Sequence, residues 1–328
     1  MAAPSAARQA VALASNGRLA EALALLEQAG MAGDGEALFA RGLWRIDGRL
    51  LERDLVAARA DIGRAAEAGH ADASRVHAAF LAAGIGGPRD WPGALASADQ
   101  RERALIDAMD LDEDGEPRGI PAPEALHPGA DIRLFRALLT PDECAFLADL
   151  AAPRFRPALI FHESRKQFIR DPLRDSDASS FPIVSETPFV HAINRRIAAA
   201  SGTAYAQGET LQILRYAAGQ QYRPHFDAIP GMGNQRIFTA IAWLTDDYEG
   251  GETEFPELDL AVRGDRGDLL LFANALSDGR PDPAMRHSGR PILSGTKLIA
   301  SRWIRQRPPD DPVAGFGQHE AEAPTASV

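Results

Sequence analysis

The stretch Ile237-Phe238-Thr239-Ala240-Ile241-Ala242-Trp243-Leu244 constrains the fold more than any other. It is short, rich in β-branched and aromatic residues, and apolar at odd and even positions alike, so as a strand it must be covered on both faces. Such a strand belongs inside a pair of packed sheets. Further short runs, Leu211 to Tyr216, Leu258 to Val262, Asp268 to Phe272 and Leu298 to Ile304, are separated by turns such as Gly231-Met232-Gly233. Many short strands with turns between them give the pattern of a jelly roll, whose mouth can hold a small ligand.

Upstream, residues 6 to 108 are alanine-rich and repeat themselves. Arg53-Asp54 precedes Leu55-Val56-Ala57-Ala58, Arg89-Asp90 precedes Trp91-Pro92-Gly93-Ala94 36 residues later, and Gly17-Arg18 precedes Leu19-Ala20-Glu21-Ala22 at the same offset backwards. A period in the thirties built of paired helices indicates a helical solenoid of roughly three repeats, the first degenerate as an end cap would be. Asp110, Asp112, Glu113, Asp114 and Glu116 then run into Pro117, Pro121, Pro123 and Pro128, a composition that cannot sustain a helix. The expected fold class is therefore α+β: an all-α helical-repeat domain at 1–110, a linker at 111–130, a double-stranded β-helix (jelly-roll) domain at 131–307 and a disordered tail at 308–328.

Within the second domain, Asp131 to Phe135 reads as a strand. Pro141 to Ala151 reads as a helix opened by a Thr140/Glu143 capping box, and Val190 to Ala200 as a helix with Ile193 and Ile197 on one face. Between them, from His162 to Pro188, Ser, Asp, Arg and Pro crowd among isolated aromatics, which predicts a long loop. Phe168, Phe181 and the Ser176 to Ser180 cluster would close over a substrate as a lid.

Acidic residues outnumber basic ones, 46 to 35, and the net charge of −11 argues against a nucleic-acid-binding surface. The single cysteine, Cys144, excludes an intrachain disulfide and fits a reducing compartment, with a cytoplasmic location expected. No signal peptide is visible near Met1, and no window has the apolar length of a membrane span, so no membrane partner is expected.

The chemistry concentrates at Tyr222-Arg223-Pro224-His225-Phe226-Asp227. On a strand, His225 and Asp227 lie two apart and share a face. An imidazole and a carboxylate so placed are two of the three ligands of a facial metal site. A third should be a histidine from a distant strand, for which His287 is the candidate. Two histidines and a carboxylate leave three open positions on an octahedral ion, the arrangement of non-haem Fe(II) oxygenases. A His-x-Asp alone is more often a solvated strand face.

The surrounding blocks strengthen the case. Leu211-Gln212-Ile213-Leu214-Arg215-Tyr216, Gly219-Gln220-Gln221-Tyr222, Pro224 to Asp227, Gly250-Gly251-Glu252-Thr253-Glu254-Phe255-Pro256, Gly267-Asp268, His287, Gly295-Thr296-Lys297 and Trp303-Ile304-Arg305 occur in one order. Together they resemble the 2-oxoglutarate/Fe(II) dioxygenases of the prolyl 4-hydroxylase-like branch, over most of residues 130 to 307. In the first domain, the segments Ile62 to Ala73 and Ala82-Ala83-Gly84-Ile85-Gly86 resemble Sel-type repeats, relatives of the tetratricopeptide repeat. The dioxygenase resemblance implies Fe(II) held by His225, Asp227 and His287, with 2-oxoglutarate as cosubstrate and ascorbate as a further cofactor. The cosubstrate's far carboxylate would meet Lys297, with Tyr216 as hydroxyl donor and Thr253 as neighbour. Composition adds an argument for Lys297: only it and Lys166 are lysines among 35 basic residues, so a compact ammonium was used where a guanidinium fork would not fit. Tyr222 and Trp303 match substrate-facing positions, although strand parity places Tyr222 on the face opposite His225.

The implied activity is hydroxylation of a prolyl residue in a peptide or protein, with succinate and CO2 as co-products. The repeats would either dock that substrate or shield the barrel. Alternatives are a dioxygenase acting on another residue or a small molecule, a zinc hydrolase using the same ligands, and a non-catalytic binding protein with a vestigial barrel. Asp246, Asp247, Glu252 and Glu254 lack calcium-loop spacing and read as a hairpin turn. His70 and His77 read as surface or packing histidines, and His127, His162, His191 and His319 as solvated.

Overall fold

The computed structural model describes residues 4–162, 167–170 and 173–313, with backbone alone at 159–162 and 167–170. Lys166, the side chains of His162 and Phe168, His319 and the tail beyond Val313 lie outside the described residues. The chain forms two compact units. One comprises the residues up to Glu116 together with Pro182–Ala192 and the residues from Asp311. The other comprises Pro117–Phe181 and Ile193–Asp310. Neither unit is a single run of sequence, which contiguous bounds do not anticipate.

In the first unit the 36-residue period is visible in the helix starts. Helices begin at Leu19, Leu55 and Trp91, and their partners at Gly35 and Ala71. Asp54 and Asp90 cap two of these helices through their side chains, whereas Arg18, at the matching place in the first repeat, makes no such bond. The helices Gly35–Asp47 and Ala71–Ala83 end alike, on Gly48 and Gly84 with φ of 76° and 72°, a left-handed geometry that favours glycine. Leu38, Ile46, Ile62 and Phe80 make the core, joined by Ile183, Val184 and Val313. Val313 is buried and Arg53 pairs with Asp311, so the expectation of disorder from residue 308 is corrected for residues 308 to 313: an apolar side chain with a core to enter is ordered by it. His70 caps its helix by accepting from the Ala73 amide. His191 is not solvated as expected but buried, 3.1 Å from Glu186.

In the second unit the strand pairings among the described residues are antiparallel. The larger sheet runs Glu124–Ala125, Ile132–Phe135, Leu269–Ala273, Arg236–Trp243, Ile292–Arg305, Leu211–Ala217, Asp177–Phe181 and Arg156–Pro157, with Tyr248–Gly250 also paired to Ile292–Arg305. The smaller sheet runs Leu260–Val262, Thr253–Phe255, His287–Gly289 and Tyr222–His225. Both sheets feed one core, Leu214, Tyr216, Ile241, Trp243 and Phe272 from the larger and Phe255 and Val262 from the smaller. This is the expected jelly roll. Arg236–Trp243 lies between two neighbours, and Ala240, Ile241, Ala242 and Trp243 are all buried, as its two-faced pattern requires.

The capping box forms as expected, with the Thr140 and Glu143 backbone amides each bonded to the other's side chain. Cys144 is fully buried, and burial pushes its thiol up to about 12, which removes it as a nucleophile. The lid expected between His162 and Pro188 is corrected for Ser176 to Phe181, while the Phe168 side chain lies outside the described residues. Asp177–Phe181 is a strand of the larger sheet, and Phe181 and Ser179 are buried in the fold. Asp-Ala-Ser-Ser-Phe has little strand propensity of its own. Pairing with Leu211–Ala217 decides it, reinforced by an in-register ion pair, Asp177 with Arg215 at 2.7 Å. Leu159–His162 and Gln167–Arg170 form a separate two-stranded sheet. Among the described residues, no helix is long and apolar enough to cross a membrane.

Candidate active site

His225 ends one strand of the smaller sheet and His287 begins the next, directly paired with it. Asp227 follows two residues after His225. The three side chains each offer a ligand atom, all within 4.8 Å of one another. His225 Nε2 lies 3.5 Å from Asp227 Oδ1, and His287 Nε2 3.4 Å from Oδ2. Both rings are oriented the same way: each Nδ1 bonds the carbonyl two residues earlier, Arg223 at 2.8 Å and Met285 at 2.9 Å. A carbonyl only accepts, so each Nδ1 carries a proton and each Nε2, the atom that could bind a metal, faces the carboxylate.

Two imidazole nitrogens and a carboxylate facing one point are the donor set of a metal site, and they fit a divalent ion. Asp227 and His287 also shift each other's ionisation. Burial disfavours a charged Asp227, yet the charge and hydrogen bonds of the two imidazoles hold it well below the usual carboxylate range. Burial likewise disfavours a charged His287, yet the charge of Asp227 raises it.

Asp227 has a further partner. The Thr239 hydroxyl donates to Oδ2 at 2.6 Å and receives the Asn274 amide at 2.9 Å, all three residues being buried. Sequence reasoning missed this pair, although a lone hydroxyl in a strand buried on both faces was a signal that it needed a partner.

The triad opens into a cavity lined by alternate residues of the larger sheet, Leu214 and Tyr216, Thr239 and Ile241, and Lys297, Ile299, Ser301 and Trp303. Lys297 is 4% exposed and directly opposite Tyr216 in register. Its ammonium donates to the Gly251 carbonyl at 2.6 Å, and burial pushes its pKa down to about 8. Two arginines on the strands that pair at Lys297 are committed elsewhere. Arg215 pairs with Asp177, and the Arg302 guanidinium bonds the carbonyls of Asn194, Tyr205 and Glu209, from the strand face opposite Lys297. Thr253, buried on the smaller sheet, lines the same cavity.

Tyr222 corrects the parity argument. It pairs with Gly289 while His225 pairs with His287, so three steps on one strand match two on the other. That is a β-bulge, and it falls on the segment containing Pro224, which has no N–H to give a ladder. The extra residue brings Tyr222 round to the side of His225, where the rings stack at 3.6 Å. Trp303 also lines the cavity, with the Arg236 guanidinium 3.7 Å from its ring and Glu209 bonding both Arg236 and Arg305.

The sequence model of the 2OG-Fe(II) oxygenase superfamily matches residues 211–305. The chain is similar to Prolyl 4-hydroxylase 1 of Arabidopsis thaliana, 32% identical over 204 residues that cover 56% of this chain and 72% of the plant protein. It is also similar to the human Prolyl 4-hydroxylase subunit alpha-1, 32% identical over 183 residues covering 53% of this chain and 34% of the human protein. A solved structure of viral collagen prolyl hydroxylase from Paramecium Bursaria Chlorella virus-1, in complex with 2OG, aligns with 55% of this chain and 98% of its own at 23% identity and a TM-score of 0.44. The chain belongs to the 2OG-Fe(II) oxygenase superfamily. Its enzymatic class is that of the 2-oxoglutarate-dependent dioxygenases, prolyl 4-hydroxylase-like in sequence, and the family implies Fe(II) and 2-oxoglutarate at the site.

Proposed function

We propose that this enzyme hydroxylates a prolyl residue of a peptide or protein, releasing succinate and CO2. The observation that carries the reading is the placement of the His225, Asp227 and His287 triad and the buried Lys297 in one cavity with Tyr222 and Trp303. His225, Asp227 and His287 hold the iron. Lys297 takes the far carboxylate of 2-oxoglutarate, with Tyr216 and Thr253 lining the same end. Iron and cosubstrate, when bound, supply the oxidising chemistry. Tyr222 and Trp303 give the substrate ring two aromatic walls. Ascorbate serves to keep the iron ferrous, and a reducing compartment such as the cytoplasm suits that requirement. The helices before residue 110, read as Sel-type repeats, dock the protein carrying the target residue. The test is mass spectrometry of proline-containing peptides after incubation with Fe(II), ascorbate and 2-oxoglutarate. A shift of one oxygen atom on proline is expected, and hydroxylation only of another residue or a free small molecule would replace the prolyl reading.

Lys297→Ala should weaken 2-oxoglutarate binding about ten- to a hundredfold, since a charge-assisted hydrogen bond contributes roughly 1.5 to 3 kcal/mol. Metal affinity should hardly change, and calorimetry reads both. The pH dependence has a definite sign. Lys297 has a pKa near 8 in the fold against an ordinary 10.5, so above about pH 8 the amine turns neutral and affinity for the dianionic cosubstrate falls. For the protein without cosubstrate, the unfolded chain binds the extra proton between those two values, so stability rises across that window, by up to about 3 kcal/mol. Both trends should vanish in Lys297→Met.

Gly251 sits at φ 69°, and a Cβ there would come within 2.3 Å of Ile292 Cδ1 and 3.3 Å of Lys297 Cδ. Gly251→Ala should therefore displace the carbonyl that holds the ammonium and weaken 2-oxoglutarate binding about tenfold. Unchanged affinity in calorimetry would show that Lys297 does not depend on that contact.

A further inference from the structure

We infer that Thr239, oriented by Asn274, is a positioning residue that fixes Asp227 as a one-oxygen metal ligand and so keeps the remaining coordination positions open for cosubstrate. The inference rests on the reading of His225, Asp227 and His287 as the metal site. A hydroxyl has one proton. Asn274 Nδ2 lies 2.9 Å from the Thr239 oxygen and can only donate to it, which leaves the hydroxyl proton to go to Asp227 Oδ2 at 2.6 Å. The amide's own oxygen lies farther from the hydroxyl, at 3.3 Å. With Oδ2 held, Oδ1 is the oxygen left to bind.

The arrangement is built rather than incidental. Thr239 is 1% exposed, on a strand otherwise buried among apolar side chains, and Asn274, just past the end of the neighbouring strand, is 2% exposed, so neither amide nor hydroxyl has water as an alternative partner. The two are brought together by the sheet itself. Thr239 pairs with Phe272 across the register, and the chain leaving that strand bonds back through the Asn274 amide N–H to the Ile237 carbonyl. A carboxylate freed of this bond would be able to turn and present both oxygens, occupying one position more.

The experiment uses the full chain and Co(II) alone as probe, reading affinity by titration and coordination by the ligand-field absorption spectrum. The parent, Asp227→Ala, Thr239→Val, Thr239→Ser and Asn274→Leu are compared. Thr239→Val keeps the shape and removes the hydroxyl, and should weaken Co(II) binding tenfold or more with a changed spectrum, within the range typical for loss of a bond to a metal-ligating group. Thr239→Ser restores the hydroxyl and should restore both readouts, which loss of packing alone would not predict. Asn274→Leu leaves the hydroxyl free to rotate and should fall between, and it carries the test if the valine variant does not fold. Parent-like affinity and spectra in Thr239→Val and Asn274→Leu would overturn the inference while leaving the metal site intact. A parent that binds Co(II) no better than Asp227→Ala would overturn the metal reading, and this inference with it.

Discussion

Asp227→Ala is expected to abolish succinate production and to lower metal affinity on the order of 100-fold or more, because even residues that only orient a ligand typically contribute 10- to 100-fold. The reason is local. Asp227 is the anion between two imidazole Nε2 atoms at 3.5 and 3.4 Å, and without it two neutral donors remain to hold a divalent ion. The variant also removes the charge that raises His287, so the ring should become neutral at a lower pH. Succinate measured over a range of Fe(II) concentrations checks the result. Turnover near the parent's at saturating iron would show that a different set of residues holds the metal.

The second large effect concerns the first unit. Removing residues 1–116 should yield a chain that aggregates or lacks a cooperative melting transition. Phe189 and Val190 are completely buried, and Ile183 and Val184 pack on the core formed by Leu38, Ile46, Ile62 and Phe80. The Phe189 amide donates to Glu102. Burial of such side chains contributes about 1.5–3 kcal/mol each, so the deletion forfeits on the order of 5 kcal/mol or more, comparable to the net stability of many domains. Size-exclusion chromatography and circular dichroism of residues 117–313 read the outcome. A soluble, cooperatively melting piece that still binds Co(II) would show that Pro182–Ala192 finds other cover. It follows that docking by the helical repeats has to be tested with surface substitutions in the full chain, by a rise in KM at constant kcat.

What the sequence disclosed and what it hid divide along physical lines. Strands carried by their own side-chain pattern were legible: Ile237 to Leu244 announced its burial, and Leu211 to Tyr216 and Leu298 to Ile304 their strand state. Helix punctuation was legible at Thr140, whose capping box with Glu143 is specified by a few local residues. Asp177–Phe181 was not, because its strand state comes from pairing with a segment some thirty residues away rather than from Asp-Ala-Ser-Ser-Phe itself. In the site, the spacing of His225 and Asp227 pointed to a shared face. The backbone partners of the site did not show: the carbonyls of Arg223, Met285 and Gly251, which meet His225, His287 and Lys297, are groups that any residue supplies. Val313 and His191 were misjudged for a common reason. Composition treats a residue by its type, whereas burial depends on which core the chain brings it to.

The bulge at Tyr222–His225 makes the numbering of this segment behave like a reading frame. A strand without it would send Tyr222 and His225 to opposite sides, and one extra residue is what lets an aromatic wall and a ligand share a side only three positions apart. Deleting or adding a single residue between Gly219 and Pro224 would shift everything upstream of it by one step while His225 stayed anchored by its pairing with His287 and Asp227 by the bond from Thr239. A point substitution at Tyr222 changes one wall of the cavity, whereas a one-residue indel there would exchange the wall for whatever the opposite face carries. Natural or designed diversity in this stretch should therefore come as substitutions at fixed length.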